Sequence, residues 1–122
     1  MSGVRAAAEP LLDLRERLRE FAVDRDWQQF HSPKNLAIAL SVEAAELLEI
    51  FQWLTEDASR TLPVDQLQRA RDELADVLLY LVRLADELGV DLAAAARDKI
   101  AANAVRYPVA KARGTSRKYT DL

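Results

Sequence analysis

Apolar residues recur at helical spacing along most of the chain, and polar breaks divide it into four segments. The first, from about Pro10 to Arg25, has one apolar side and one charged side, which predicts an amphipathic helix. Its apolar stripe consists of Leu11, Leu14, Leu18, Phe21 and Ala22. A short aromatic stretch follows, and then Ser32 and Pro33 have the pattern of an N-cap with proline at the first helical position. A second helix is therefore predicted from there to about Trp53.

The second and third predicted helices differ in the distribution of their apolar positions. The second is apolar nearly all round, a pattern that requires burial on several sides and for which one small monomer offers little cover. After a polar, turn-like stretch over residues 55–63, the third helix runs from about Val64 to Leu88 and is closed by Gly89. Its predicted core stripe is Leu74, Val77, Leu78, Leu81, Ala85 and Leu88.

The last part of the chain predicts a fourth helix and a tail. Asp91 has the position of an N-cap, and the helix ends near Tyr107 because Pro108 cannot continue the hydrogen-bond ladder. We expect residues 109–122 to form an irregular, basic C-terminal tail and residues 1–9 to be flexible. The prediction is an all-α fold, a four-helix bundle that forms a single domain over residues 1–122.

Composition narrows the class of protein. The content of 50% hydrophobic and 30% charged residues is typical of a soluble globular protein, and 3 Gly and 4 Pro are few enough to favour long helices. A net charge of −3 argues against binding to a nucleic-acid polymer, although not against a single nucleotide. The absence of cysteine excludes disulfides and thiolate zinc sites. No signal peptide or membrane span is indicated, so we expect a cytoplasmic location and no membrane partner.

Two carboxylate pairs stand inside the most apolar stretches of the chain. Glu43 and Glu46 are three residues apart on the second helix, as are Glu73 and Asp76 on the third, so each pair points two carboxylates in nearly the same direction. Residues 35–59 contain no lysine, arginine or histidine that could pair with the first two acids. This setting indicates a metal site rather than an ordinary charged surface.

The chemistry of these acids narrows the choice of metal. Packed helices lie roughly 8–10 Å apart, and four carboxylates facing each other across that gap would repel without a cation between them. Hard oxygen ligands suit Mg²⁺ or Mn²⁺. A di-iron site with Glu-x-x-His on two helices is excluded because the chain has one histidine, outside both pairs. The alternative is that the acids are surface residues at the edge of the core.

Aromatic and basic residues could complete a ligand site. The aromatic candidates are Trp27, Phe30, His31, Trp53 and Tyr80. Taken singly, each is more typical of a core, but if they converge they could stack on a nucleobase. The phosphate candidates are Lys99, Asn103 and Arg106, which share one face of the fourth helix, with Arg117 and Lys118 in the tail. The alternative for these is a solvated basic stripe near a helix C-terminus.

The chain carries, in order, the segments FAVDRDWQQFHSPKNL, SVEAAELLEIFQW, ARDELADVLLYLV, KIAANAVRYP and SRKYTDL. This combination resembles the MazG-type nucleoside triphosphate pyrophosphohydrolases, and within them the dCTP pyrophosphatase branch, from about Phe21 to the C-terminus. The metal-binding signature of that family, ExxE followed by ExxD, matches Glu43, Glu46, Glu73 and Asp76.

The resemblance implies an Mg²⁺-dependent enzyme that hydrolyses (deoxy)nucleoside triphosphates, dCTP or modified dCTP, to the monophosphate and pyrophosphate, for nucleotide-pool sanitation or balance. The segment from Trp27 to His31, with Trp53 and Tyr80, would form the pocket for base and sugar. The basic residues of the fourth helix and tail would hold the triphosphate. One position departs from the dCTP-specific branch, since Leu18 stands where that branch carries a histidine.

Relatives of this kind form homodimers or homotetramers, so we expect the apolar helices to mediate such assembly here. For the reaction, Glu46 is the candidate general base and Glu49 the second choice, because a carboxylate next to the attacking water can accept its proton. The competing hypothesis is a non-catalytic helical module that binds a nucleotide or a partner helix.

Overall fold

A computed structural model describes residues 9–122 of the chain. The flexible segment predicted for residues 1–9 therefore lies, apart from its last residue, outside the described residues. Every regular element from residue 9 onward is helical, which confirms the all-α prediction. The α-helices are α1 (Pro10–Asp24), α2 (Pro33–Phe51), α3 (Glu56–Arg60), α4 (Val64–Glu87), α5 (Leu92–Arg106) and α6 (Val109–Ala112), and 3₁₀ turns lie at Gln28–Phe30 and Tyr119–Asp121.

The ends of the long helices follow from local chemistry. The Ser32 hydroxyl accepts a hydrogen bond from the backbone N–H of Asn35 at 3.2 Å, and the Asp91 carboxylate accepts one from Ala94 at 3.0 Å. Each cap satisfies a backbone donor that the first turn of the helix leaves free. Gly89 has a φ of 68°, the left-handed conformation in which glycine ends a helix at low cost. The predicted starts of α2 and α5 and the end of α4 are thus confirmed.

Two predicted irregular stretches contain short helices, so these predictions were wrong. Within residues 55–63, α3 forms because the Thr55 side chain caps it, accepting from the N–H of Ala58 at 3.1 Å. Its acids lie in the first turn and Arg60 in the last, the arrangement that the helix dipole favours. In the tail, α6 begins directly after Pro108, and a 3₁₀ turn follows near the C-terminus.

The core forms where α1 and α2 both pack against α4. Its buried apolar side chains are Ala22, Leu36, Ile50, Ala70, Val82 and Ala85. The predicted stripe on α4 is correct at Ala85 but wrong at Leu74 and Leu88, which are 57% and 58% exposed. Leu74 lies on the same side of α4 as the buried Ala85, so the side of the helix does not account for its exposure, and Leu88 lies just beyond the last helical residue.

The described residues divide into two compact units that meet in sequence between Val90 and Asp91. The first contains α1 to α4, and the second contains α5, α6 and the last turn. In the second unit the rings of Tyr107 and Tyr119 meet edge to face at 6.1 Å. The single domain over residues 1–122 stays a prediction. None of the helices in residues 9–122 has the length and apolarity needed to cross a membrane.

Candidate functional site

Three carboxylates from two packed helices meet in the first unit. Glu43 comes from α2, while Glu73 and Asp76 lie one turn apart on α4. One oxygen of each carboxylate lies within 4.8 Å of the chosen oxygens of the other two. The contact between α2 and α4 therefore brings together acids that are thirty residues apart in sequence.

Two oxygens of this group lack the partners that buried polar atoms normally have. Glu43 Oε2 and Glu73 Oε2 are both buried, and neither has a hydrogen-bond partner among the described residues. The ion pairs formed in residues 9–122 involve neither of them, nor Asp76. A buried carboxylate oxygen without a donor is costly, because it has lost water and gained nothing in return.

The protonation of Glu43 reflects this crowding. The Glu73 carboxyl lies where a protonated Glu43 would donate a hydrogen bond to it, which favours the protonated form and raises the pKa of Glu43 to about 7. Burial acts in the same direction, as do the neighbouring carboxylates of Glu46 and Asp76. The site is therefore short of positive charge at neutral pH.

A divalent cation fits this site. All the donors are carboxylate oxygens, the set that Mg²⁺ and Mn²⁺ prefer, and a cation would satisfy the two orphaned oxygens and offset the repulsion. Glu43, Glu73 and Asp76 would hold it. Glu46, the fourth predicted ligand, is half-buried beside Glu43 but does not belong to the group of three, and Glu49 is exposed. Their roles stay predictions.

The predicted aromatic residues are brought together only in part. Trp27 and His31 meet edge to face, with ring centroids 6.4 Å apart. The ring of Phe21 in turn meets the ring of Trp27 edge to face, with 5.7 Å between the centroids. Within the described chain, Phe30, Trp53 and Tyr80 make no such ring contact. Phe30 is exposed, Tyr80 is half-buried on α4, and Trp53 is 88% exposed at the end of α2. Such exposure excludes a core role for Trp53 within one chain.

The predicted phosphate-binding residues all lie in the second unit and are exposed. Lys99, Asn103 and Arg106 are on α5, and the Arg106 guanidinium lies 5.0 Å from the centre of the Tyr119 ring. Arg117 and Lys118 directly precede the last turn. Their role toward a triphosphate stays a prediction.

Comparison with known proteins decides the family. A model of the MazG-like family matches residues 38–122, more than half of the chain. The chain belongs to the MazG-like family. The dCTP pyrophosphatase 1 of Mus musculus is 47% identical over 121 residues, which cover 97% of this chain and 71% of the mouse protein. The Homo sapiens dCTP pyrophosphatase 1 is 48% identical over 117 residues, covering 93% and 69% of the two chains.

A solved structure agrees with this membership. The crystal structure of a pyrophosphatase from Archaeoglobus fulgidus has a TM-score of 0.74 and 41% sequence identity, and the match covers 84% of this chain and 93% of that one. The predicted helical fold of the MazG-like family is thus confirmed. Because the curated relatives are pyrophosphatases, the prediction that this MazG-like protein is an enzyme of that type is also confirmed. The non-catalytic module is set aside.

The structure of this MazG-like protein also shows a polar network that the sequence did not predict. Arg83 on α4 is 6% exposed, and its Nε donates a hydrogen bond to His31 Nδ1 at 3.2 Å. Its other nitrogens donate to Asp86 at 3.3 Å and to Glu87. The same oxygen of Asp86, Oδ2, also accepts a hydrogen bond from Arg19 Nε at 2.7 Å. An arginine within the apolar run VLLYLVRLA was the signal that could have revealed it.

Charges in this network control two protonation states. The hydrogen bond from Arg19 lowers the pKa of Asp86 below its ordinary value, and the positive charges of Arg19 and Arg83 add to the effect. Burial lowers the pKa of His31, and the positive charge of Arg83 lowers it further. His31 is therefore neutral at neutral pH. A cavity of about 330 Å³ lies beside the network, lined by Arg19, Val23, Gln28, Arg83, Asp86 and Glu87.

Proposed function

We propose that this MazG-like enzyme hydrolyses dCTP, or dCTP modified on the base, to the nucleoside monophosphate and pyrophosphate with the help of Mg²⁺. The observation that carries the proposal is the group formed by Glu43, Glu73 and Asp76, with its two buried and unpartnered oxygens. The names of relatives 47–48% identical to this chain support the choice of dCTP. Pool sanitation or balance in the cytoplasm is the corresponding cellular role.

The three carboxylates explain why a cation is needed. A triphosphate is strongly negative and could not approach Glu43, Glu73 and Asp76 without a positive charge between them. Mg²⁺ held there would neutralise phosphate oxygens and lower the pKa of an attacking water. Because the three residues are anchored on two packed helices, they would hold the cation, and the α-phosphate bound to it, in one position.

Glu46 is the residue we assign as the general base. It is half-buried beside Glu43 and outside the group of three carboxylates, so its oxygens are available to accept a proton. Attack of water on the α-phosphorus forms a new P–O bond and breaks the bond to the bridging oxygen, so that pyrophosphate leaves and the proton passes to Glu46. Glu49, one turn on and exposed, is the second choice.

We assign Trp53 and the Trp27–His31 pair to the base; because they lie at opposite ends of α2, about 28 Å of helix apart, they serve one base only when they come from different subunits of the assembly proposed below. An indole exposed on the surface offers a face on which a base can stack, with a contribution of roughly 1–3 kcal/mol. The basic residues of the second unit, above all Lys99 and Arg106, would bind the phosphate oxygens of the triphosphate.

Assembly into a homodimer or homotetramer is part of the proposal. Three apolar side chains on α2, Ile38, Val42 and Leu48, are half exposed or more in the single chain, as is Leu74 on α4. Apolar side chains exposed on two packed helices are typical of an interface between subunits.

The decisive experiment is a substrate panel with product analysis. The purified protein is incubated with Mg²⁺ and dCTP, 5-modified dCTP, dUTP, dTTP or the ribonucleotides, and pyrophosphate and monophosphate are quantified. We expect dCTP or a 5-modified form to have the highest kcat/KM, and Leu18 makes the comparison of these two essential. Release of orthophosphate instead, or equal rates for all bases, would contradict the proposal.

A matched pair of variants tests the general base. Glu46→Gln and Glu49→Gln make the same change one turn apart on α2. We expect the first to lower kcat by at least about 100-fold, the scale of general-base catalysis, and the second to change it less than threefold. Reversal of the two effects would transfer the role to Glu49, and full activity of Glu46→Gln at saturating Mg²⁺ would end the assignment.

A further inference from the structure

The guanidinium of Arg83 is held in one orientation. Two of its nitrogens donate to the carboxylates of Asp86 and Glu87, on the same helix, and Asp86 is itself bound by Arg19 from α1. The side chain is nearly fully buried, so water does not compete for these hydrogen bonds. Since the two ends of the planar guanidinium are occupied, the direction of the third donor, Nε–H, is fixed.

That third donor determines the state of the His31 ring. Arg83 Nε lies 3.2 Å from His31 Nδ1, and because arginine can only donate, Nδ1 has to be the acceptor. A neutral imidazole whose Nδ1 carries no proton has it on Nε2. Within the described chain, Nε2 has no hydrogen-bond partner, so this N–H is free to donate to a ligand.

We propose that Arg83 is a positioning residue that holds His31 with its proton on Nε2, so that this N–H donates to an acceptor on the edge of the nucleobase. The acceptor would be a carbonyl oxygen or an unprotonated ring nitrogen, and cytosine presents both on its pairing edge. Trp27, in edge contact with His31, limits the rotation of the ring. The identity of the ligand rests on the proposed function, whereas the state of the ring does not.

The chain has one histidine, which makes the ring directly observable. Long-range ¹H–¹⁵N NMR of ¹⁵N-histidine-labelled protein at pH 7 distinguishes the two neutral tautomers and the imidazolium. We expect the Nε2–H tautomer alone, and we expect a non-hydrolysable α,β-imido dCTP to shift the Nε2 signal more than the Nδ1 signal. A protonated Nδ1, an imidazolium at pH 7, or a larger shift at Nδ1 would overturn the proposal. If wild-type protein cleaves no triphosphate, the proposed function fails and the tautomer assignment is still decided by the spectrum.

Variants connect the ring to substrate binding. In Arg83→Met we expect both neutral tautomers of His31 to appear. The KM for dCTP should rise about fivefold, with kcat within twofold of wild type, because the His31 ring is no longer held in the Nε2–H tautomer that donates to the base. Arg83→Lys retains a donor and should keep the Nε2–H tautomer. The matched control is Arg17→Met, since Arg17 is exposed and its one ion pair within residues 9–122 is with Asp13 on its own helix.

The outcomes separate a positioning role from a structural one. A wild-type tautomer and KM in Arg83→Met would contradict the proposal. A loss of both kcat and stability with an unchanged His31 spectrum would also contradict it, because that is the pattern of a purely structural residue. If Arg83→Met fails to fold, the wild-type spectrum and the Arg83→Lys variant decide the question.

Discussion

Replacing Glu43 by glutamine should change protein stability with opposite sign in the absence and presence of Mg²⁺. In the metal-free chain the Glu43 carboxyl lies against Glu73, and its pKa is about 7 instead of the ordinary 4.5. Glutamine keeps the shape and removes the charge. It also offers an amide N–H₂ that can donate to the unpartnered Glu73 Oε2.

The direction of the pH dependence follows from the raised pKa. The folded chain binds the Glu43 proton more tightly than the unfolded chain does, so this residue favours folding most below pH 4.5. That contribution is lost as the pH rises from about 4.5 to 7. A shift of this size in a fully buried site corresponds to about 3 kcal/mol. Solvent screening at a partly exposed carboxylate reduces it to about 1 kcal/mol, or about 4 °C in Tm for a chain of this length.

The measurement is thermal unfolding followed by circular dichroism at pH 7.5. In EDTA, Glu43→Gln should melt about 4 °C higher than wild type, and the two should converge near pH 4.5. Saturating Mg²⁺ should stabilise wild type by about 2.7 kcal/mol at a hundredfold excess over Kd, and the variant far less. Glu49→Gln is the control because it makes the same change at an exposed position of the same helix. Equal melting of wild type and Glu43→Gln in both conditions would show that these acids are ordinary surface residues.

Three further changes have definite expected outcomes. Trp53→Ala should raise the KM for dCTP at least about fivefold and move Tm by less than about 2 °C, because a stacked base is worth roughly 1–3 kcal/mol and the indole is exposed; steady-state kinetics and a melting curve check the two effects. If the proposed oligomer forms through α2, Val42→Asp should lower the mass measured by light scattering to that of a monomer, whereas an unchanged oligomeric mass would place the interface elsewhere. Asp86→Asn should lower the free energy of unfolding by about 2 kcal/mol at pH 7, since Arg19 and Arg83 lose their charged acceptor. Because the pKa of Asp86 is lowered, this difference should shrink below pH 3.8 in acid titrations of stability, and a constant difference would refute the ion-pair explanation.

The features that could be predicted from sequence are those decided by near neighbours. A cap such as Ser32 or Asp91 acts on the backbone three residues away, and Gly89 acts on its own φ, so each is visible in a few letters. To predict the grouping of Glu43 with Glu73, one further assumption was needed, that the two apolar helices pack together. The lack of basic residues near Glu43 in sequence supported a shared site for the acids.

The features that escaped prediction depend on which faces of the helices meet. Arg83 binds a residue 52 positions earlier in the chain, and Asp86 binds one 67 positions earlier, so periodicity gives no sign of either pairing. Leu74 has the spacing of a core residue and shares its side of α4 with the buried Ala85, yet its own side chain is 57% exposed. Periodicity shows that a face is apolar but not which neighbour covers it.

The uninterrupted length of α4 has a consequence for how the enzyme could measure its substrate. The same helix carries Glu73 and Asp76 near its middle and Arg83 near its end, so these carboxylates and the residue that supports His31 are about 10–15 Å apart along one axis. Under the proposed function, this fixed separation would set the distance between the groups that bind the phosphates and the group that binds the base of a nucleotide. One residue inserted between Asp76 and Arg83 would turn one end about 100° against the other and leave each half of the site intact but unable to serve the same molecule.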